Sequence, residues 1–178
     1  MISKLGKWIV GITSALSLAG LLVWTSSASA EAGAFSPYAS EVEEGVVLAG
    51  TLDLTALKAS HDGTVRVVDL RTEPEGTPEE ATAAAALGLD YTNIPVAGAS
   101  IDPEQVAALR AVLDGVPSGD LLVVHCASGN RAGMLWGAML LENGMSLEEV
   151  EQAVSGVVTK APIAEALKAY AQTLDDES

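Results

Sequence analysis

Cysteine is all but missing from this sequence: Cys126 is the only one in 178 residues. A single cysteine cannot form an internal disulfide, and without a resolving thiol an intramolecular dithiol redox cycle is excluded. Histidine is nearly as scarce. His61 and His125 stand alone, with no metal-ligand spacing between them and the cysteine, so no metal and no other cofactor is expected. Positive charge is short too, with 9 Lys+Arg against 24 Asp+Glu and a formal net charge of −15. That balance argues against nucleic acid or an anionic membrane surface as a partner. It also repels anionic substrates at long range, so any anion site must rely on local N–H groups and a nearby arginine. There is no internal repeat, and only alanine-rich helical stretches are low in complexity.

What is present begins with a processing segment. Lys4 and Lys7 form a basic start, residues 8–24 are largely apolar, and Ala28-Ser29-Ala30 is a small-residue cleavage site, so residues 1–30 read as a signal peptide. The alternative is an uncleaved membrane anchor, because the apolar stretch is long, although Thr13, Ser14 and Ser17 weaken it. Export to the periplasm or extracellular space is expected, with no membrane association after cleavage. Loss of Lys4 and Lys7 leaves 7 Lys+Arg against 24 Asp+Glu, a net charge of −17. A thiol left unpaired outside the cytoplasm suggests a functional one.

The remainder has the length of one domain. Residues 31–45 read as a flexible polar leader, 46–174 as the folded domain and 175–178 as an acidic tail. Apolar runs at 46–49, 65–70 and 121–124, with 90–95 as a further candidate, read as strands. Helices are expected from a cap at Thr51 or Asp53 to residue 59, over 78–87, from Asp102 to 113, from Arg131 to Asn143-Gly144, after Ser146, and over 162–174. The alternation implies an α/β fold with a central, mostly parallel sheet of about four to five strands flanked by helices. Trp136 and Met134 are expected in the core.

One stretch organises the rest. Residues 121–133, LLVVHCASGNRAG, give a buried strand, a tight loop and the start of a helix. Such a loop turns backbone N–H groups and the positive end of a helix dipole toward one point, making an anion site from Ala127, Ser128, Gly129, Asn130 and Arg131. Cys126 lies at its mouth, where dipole, amides and Arg131 favour the nucleophilic thiolate, and His125 could support the loop through a ring hydrogen bond. Taken singly, Cys126 reads as a small buried hydrophobe and His125 as a core histidine. Ligands bind beyond the carboxyl ends of strands in such sheets. The loops holding Asp69, Arg71 and Glu73, and residues 96–102, could therefore converge on Cys126. Arg71 and Glu73 read by default as an ion pair. Asp102 could serve as a general acid, but the run Asp-Pro-Glu-Gln from Asp102 is also an N-cap with proline at the first helical position.

In order along the chain, VVDLRTE, an acidic alanine-rich helix ending LGLDYTNIPV, the helix IDPEQVAALRAVL and the loop HCASGNRAG resemble the bacterial beta-lactamase hydrolase-like, phosphatase-like family. That family belongs with the dual-specificity and tyrosine phosphatases, and the resemblance covers about residues 44–156. It implies a cysteine-phosphatase-like fold, Cys126 forming a phosphocysteine, loop amides and Arg131 holding the phosphoryl oxygens, and Asp102 as acid. Two features depart from it. Phosphatases of this kind place five residues between cysteine and arginine. Here there are four, Ala127 to Asn130, the length of a rhodanese loop. The position after the arginine, usually Ser or Thr, is Ala132.

Three functions follow as expectations: a cysteine-dependent phosphatase acting on a small anionic phosphoester, a rhodanese-like sulfurtransferase carrying a Cys126 persulfide, and a non-catalytic oxyanion-binding module.

Overall fold

The computed structural model describes residues 33–176, so the expected signal peptide lies outside the described residues. Five strands form one sheet in the order β1-β2-β5-β3-β4. They are β1 (Phe35–Glu43), β2 (Val46–Leu52), β3 (Val65–Asp69), β4 (Asp90–Asn93) and β5 (Leu121–His125). β2, β5, β3 and β4 run parallel, and β1 alone is antiparallel, paired with β2. The α/β expectation holds. The leader does not: most of residues 31–45 is β1, not a flexible segment. Pro37 hides it, since proline cannot donate to a ladder; here it falls on an edge strand, within an irregularity between Ser36 and Ala39.

Strand alternation sorts the core into two layers. Val46, Leu48, Val68, Leu70, Leu122, Val124 and Cys126 face one cluster, while Val47, Ala49, Val65, Val67, Leu121 and Val123 face the other. The first layer is covered by α3 (Pro103–Asp114), α4 (Asn130–Glu142), α5 (Leu147–Ala153) and α6 (Ala161–Asp176), and the second by α1 (Leu54–Ser60) and α2 (Thr77–Ala86). α6 absorbs the first two residues of the expected acidic tail.

α4 is buried almost all round, from Asn130 to Leu141 with only Arg131 partly exposed, which makes it the central helix of its layer. Trp136 and Met134 are core residues, at 1% and 0% exposure. Gly133 lets the chain beyond α5 close onto the first turn of α4: a Cβ there would lie 2.5 Å from Val158 Cγ2 and 2.9 Å from Val157 Cγ2.

The caps read from sequence are in place. Asp53 Oδ1 accepts from the Thr55 and Ala56 amides at 3.0 and 2.9 Å. Ser146 and Glu149 form a reciprocal capping box on α5.

Candidate active site

Cys126 follows the last residue of β5, and its amide donates to Ala49 O at 3.2 Å. The side chain faces the α4 layer at 1% exposure. Beyond it, Gly129 adopts φ +79°, a left-handed conformation that side chains rarely take, and starts α4 at its N-cap. The first intrahelical bond is Gly133 N–H to Gly129 O at 2.9 Å, so helix geometry leaves the amides of Asn130, Arg131 and Ala132 without intrahelical acceptors.

Asn130 shapes the loop with its side chain. It is 2% exposed; its Oδ1 accepts from the Thr159 and Lys160 amides, both at 2.9 Å, and its Nδ2 donates at 3.3 Å to Ser128 O, Ser128 Oγ and Thr159 Oγ1. The loop is thereby tied to the entrance of α6.

Arg131 carries the charge of the site. Nη1 donates to Glu75 Oε2 at 2.9 Å, Val96 O at 2.9 Å and Leu70 O at 3.4 Å, and Nη2 donates to Glu75 Oε1 at 2.6 Å. Hydrogen bonding to Glu75 raises the arginine pKa beyond its ordinary value, against the effect of burial, and the Cys126 side chain adds to the rise as charge and as hydrogen-bond partner. In return, Arg131 holds the Glu75 carboxyl down at about 2, with help from the Thr72 amide and hydroxyl at 2.9 and 2.8 Å. Leu70 and Val96 are themselves linked, Val96 N–H to Leu70 O at 3.0 Å, so the loops after β3 and β4 meet at the guanidinium.

Glu75, Gly98, Ala99, Ala127, Ser128, Asn130, Arg131, Lys160, Pro162 and Ile163 line an open cleft of about 530 Å³. Convergence of three loops was expected; the residues that do it differ. Glu75, not Arg71 or Glu73, reaches Arg131, 56 positions away in sequence. A four-residue walk from Arg71 to a capping glutamate was the only signal available for it, since Thr72 and Glu75 close a capping box. Lys160 had none. Asp102, like Cys126, is not among the residues that line the cleft; it is an exposed N-cap of α3, its Oδ1 accepting from the Glu104 amide at 2.9 Å. Cap and acid were compatible in sequence, but only the cap has geometry behind it.

His125 points the other way. Its pair in register is Asp69 on β3, and both face the α2 layer at 0% exposure. Arg71 joins them, donating from Nε and Nη2 to Asp69 at 2.7–3.2 Å and from Nη2 to Glu80. Its partners are thus Asp69 and Glu80, in place of the expected Glu73. Tyr91 Oη donates to Asp69 Oδ2 at 2.8 Å. Burial pushes the Asp69 carboxyl up, but the bonds from Arg71, the field of His125 and the Tyr91 hydroxyl together hold it below its usual value. Burial and then Asp69 push the Tyr91 phenol up. His125 Nε2 lies 2.9 Å from Glu80 Oε1 and 3.5 Å from Asp69 Oδ1, ion-pair distances without the alignment of a hydrogen bond, since neither ring nitrogen has a hydrogen-bond partner. Ligand atoms of Asp69, Glu80 and His125 fall within 4.8 Å of one another, a grouping that spacing along the chain could not show. Arg71 already supplies the cation there. His125 therefore lies on the α2 face of the sheet and does not bond the loop.

Residues 41–143, more than half of the chain, match the family described as "Beta-lactamase hydrolase-like protein, phosphatase-like domain". The chain belongs to this family. A beta-lactamase hydrolase-like protein of Xylella fastidiosa (strain Temecula1 / ATCC 700964) is 34% identical over 91 residues, which are 48% of this chain and 21% of that protein. The chain thus spans about a fifth of the length of its curated relatives. Among solved structures, a DUF442 protein of Shewanella putrefaciens CN-32 is similar with a TM-score of 0.63 and 19% identity, covering 82% of this chain and 92% of that one. Tk-PTP in its active form is similar with a TM-score of 0.62 and 23% identity, covering 78% and 99%. The catalytic core of the PP-IP phosphatase SIW14 of S. cerevisiae gives 0.58 and 17%, covering 78% and 92%. These likenesses establish the cysteine-phosphatase fold, and the family match makes this a phosphatase-like domain.

Proposed function

We propose that the domain is a cysteine-dependent phosphatase-type hydrolase whose nucleophile is Cys126. The observation that carries the reading is the join between β5 and α4: the sole cysteine, buried at the end of β5, leads into a loop and helix start whose residues Ala127, Ser128, Asn130 and Arg131 line an open cleft. In that arrangement the Cys126 thiolate attacks phosphorus, the ester P–O bond breaks, and the leaving oxygen takes a proton from solvent. Water then attacks the phosphocysteine, releasing phosphate and restoring the thiolate. The loop amides and Arg131 hold the oxygens on which charge grows. The substrate is a small anionic compound, encountered outside the cytoplasm because residues 1–30 read as an export signal.

A second reading has its own support. The loop is one residue shorter than in phosphatases of this kind, Ala132 offers no hydroxyl to help the thiolate depart, and Glu75 offsets the charge of Arg131. A nest that is narrow and already compensated suits one sulfur atom better than a dianionic phosphoryl group. In this reading the Cys126 thiolate attacks the outer sulfur of thiosulfate, sulfite leaves, and the persulfide passes its sulfur to a thiophile such as cyanide.

Intact-protein mass spectrometry separates the two. A phosphoryl adduct from a slow aryl phosphate, with phosphate release in turnover, is the expected result, and both are lost in Cys126→Ser. A gain of one sulfur from thiosulfate, without phosphate release, would replace the first reading by the second. Neither adduct would leave an oxyanion-binding module.

A further inference from the structure

The charge of the cleft is unevenly compensated. Arg131 is neutralised by Glu75, and Arg66, Arg71, Arg110 and Lys168 each pair with a carboxylate elsewhere. Among the described residues, Lys58 and Lys160 carry no ion pair, and of these two Lys160 lines the cleft. The rest of the lining, Gly98, Ala99, Pro162 and Ile163 included, brings no further charge. In a chain of net charge −15, an unpaired ammonium beside the loop is the one place where the cleft can meet extra negative charge.

Its backbone is held, although its side chain is free. The Lys160 amide donates to Asn130 Oδ1 at 2.9 Å, and Lys160 O accepts from the Ile163 and Ala164 amides at 3.0 and 3.3 Å as α6 begins. Asn130 precedes Arg131, so one buried amide fixes both the arginine and the base of the lysine. Lys160 also lies outside residues 41–143, and the family match carries no role for it.

We propose that Lys160 is a specificity-determining residue that binds a second anionic group of the substrate, beyond the group held by the loop. This rests on the hydrolase reading for its identity as a substrate contact, and it names the substrate class: small phosphoesters bearing two anionic groups. The reacting phosphoryl enters the loop beside Arg131, and the second anion stays at the mouth of the cleft, against the ammonium. Without Lys160, added negative charge on a ligand weakens binding to so acidic a chain.

The test is titration calorimetry of the full chain carrying Cys126→Ser with fructose 6-phosphate and fructose 1,6-bisphosphate. The bisphosphate is expected to bind about fivefold more tightly, beyond the factor of two for having two equivalent ends. Adding Lys160→Gln should abolish that preference, and adding Lys160→Arg should keep it. A preference of twofold or less, one that survives Lys160→Gln, or binding of neither sugar phosphate would overturn the proposal. Failure of the hydrolase reading shows differently: wild-type protein would not release phosphate from phenyl phosphate, whatever the affinity ratio.

Discussion

His125 and Cys126 are neighbours in the chain, yet the pleat of β5 sends them to opposite faces of the sheet, into two sites built from similar parts. Each face has an arginine bound by carboxylates. On the His125 face, Arg71 meets Asp69 and Glu80, and Asp69 is entirely removed from solvent. On the Cys126 face, Arg131 meets Glu75, whose side chain is 31% exposed, and the pair borders an open cleft. The difference is access. Asp69 at 0% and Arg71 at 11% side-chain exposure tie β3, β5 and α2 together from within, whereas the Arg131–Glu75 pair stands at the edge of a cleft, where a hydrolase would need its arginine.

Exchanging each arginine for alanine is the strongest way to break this contrast. Arg71→Ala leaves Asp69 buried with no guanidinium and should cost about 3–5 kcal/mol in urea unfolding. Arg131→Ala should cost no more than about 2 kcal/mol, since Glu75 can hydrate, while turnover is lost. Equal stability losses would end the distinction between the two faces. Next comes the packing that holds the cleft's far wall. Gly133→Ala places a methyl 2.5 Å from Val158 Cγ2 and should destabilise by about 3 kcal/mol, displacing the segment that carries Lys160.

Acid should distinguish the faces more gently. Glu75 titrates at about 2 in the folded chain against an ordinary 4.5, so its stabilising contribution is complete above about pH 4.5 and fades as pH falls toward 2. Glu75→Gln should flatten stability over that window, as urea midpoints at successive pH values would show; an unchanged acid limb would mean that Asp69 and its neighbours set it alone. The smallest effect is expected at Asp102. Asparagine caps helices as well as aspartate does, so Asp102→Asn should leave both stability and turnover within about twofold. A large fall in kcat, confined to esters with poor leaving groups, would restore Asp102 as an acid.

Much of this was legible in the sequence where physics is local. The apolar runs of β3 and β5, the caps at Asp53, Asp102 and Ser146, and the strand-loop-helix around Cys126 each follow from a few adjacent residues. What sequence could not show depends on distant partners or on neighbours in space. Glu75 matters because Arg131 reaches back 56 positions, and Lys160 because Asn130 reaches forward 30. Which way His125 points depends on the parity of its strand, and that parity is fixed only once two layers of helices exist. β1 escaped notice because an edge strand tolerates a proline and an irregular register that an interior one would not.

Asn130 has a last consequence, concerning time. Three of its five side-chain hydrogen bonds bind the loop to residues 159 and 160, and the other two hold Ser128 within the loop, so opening the loop means breaking its ties to the entrance of α6. Opening of either becomes a single cooperative event, governed by local unfolding rather than by the rapid fluctuation usual for a surface loop. If the loop is the anion site proposed above, it would meet a ligand already formed, with little ordering entropy left to lose on binding.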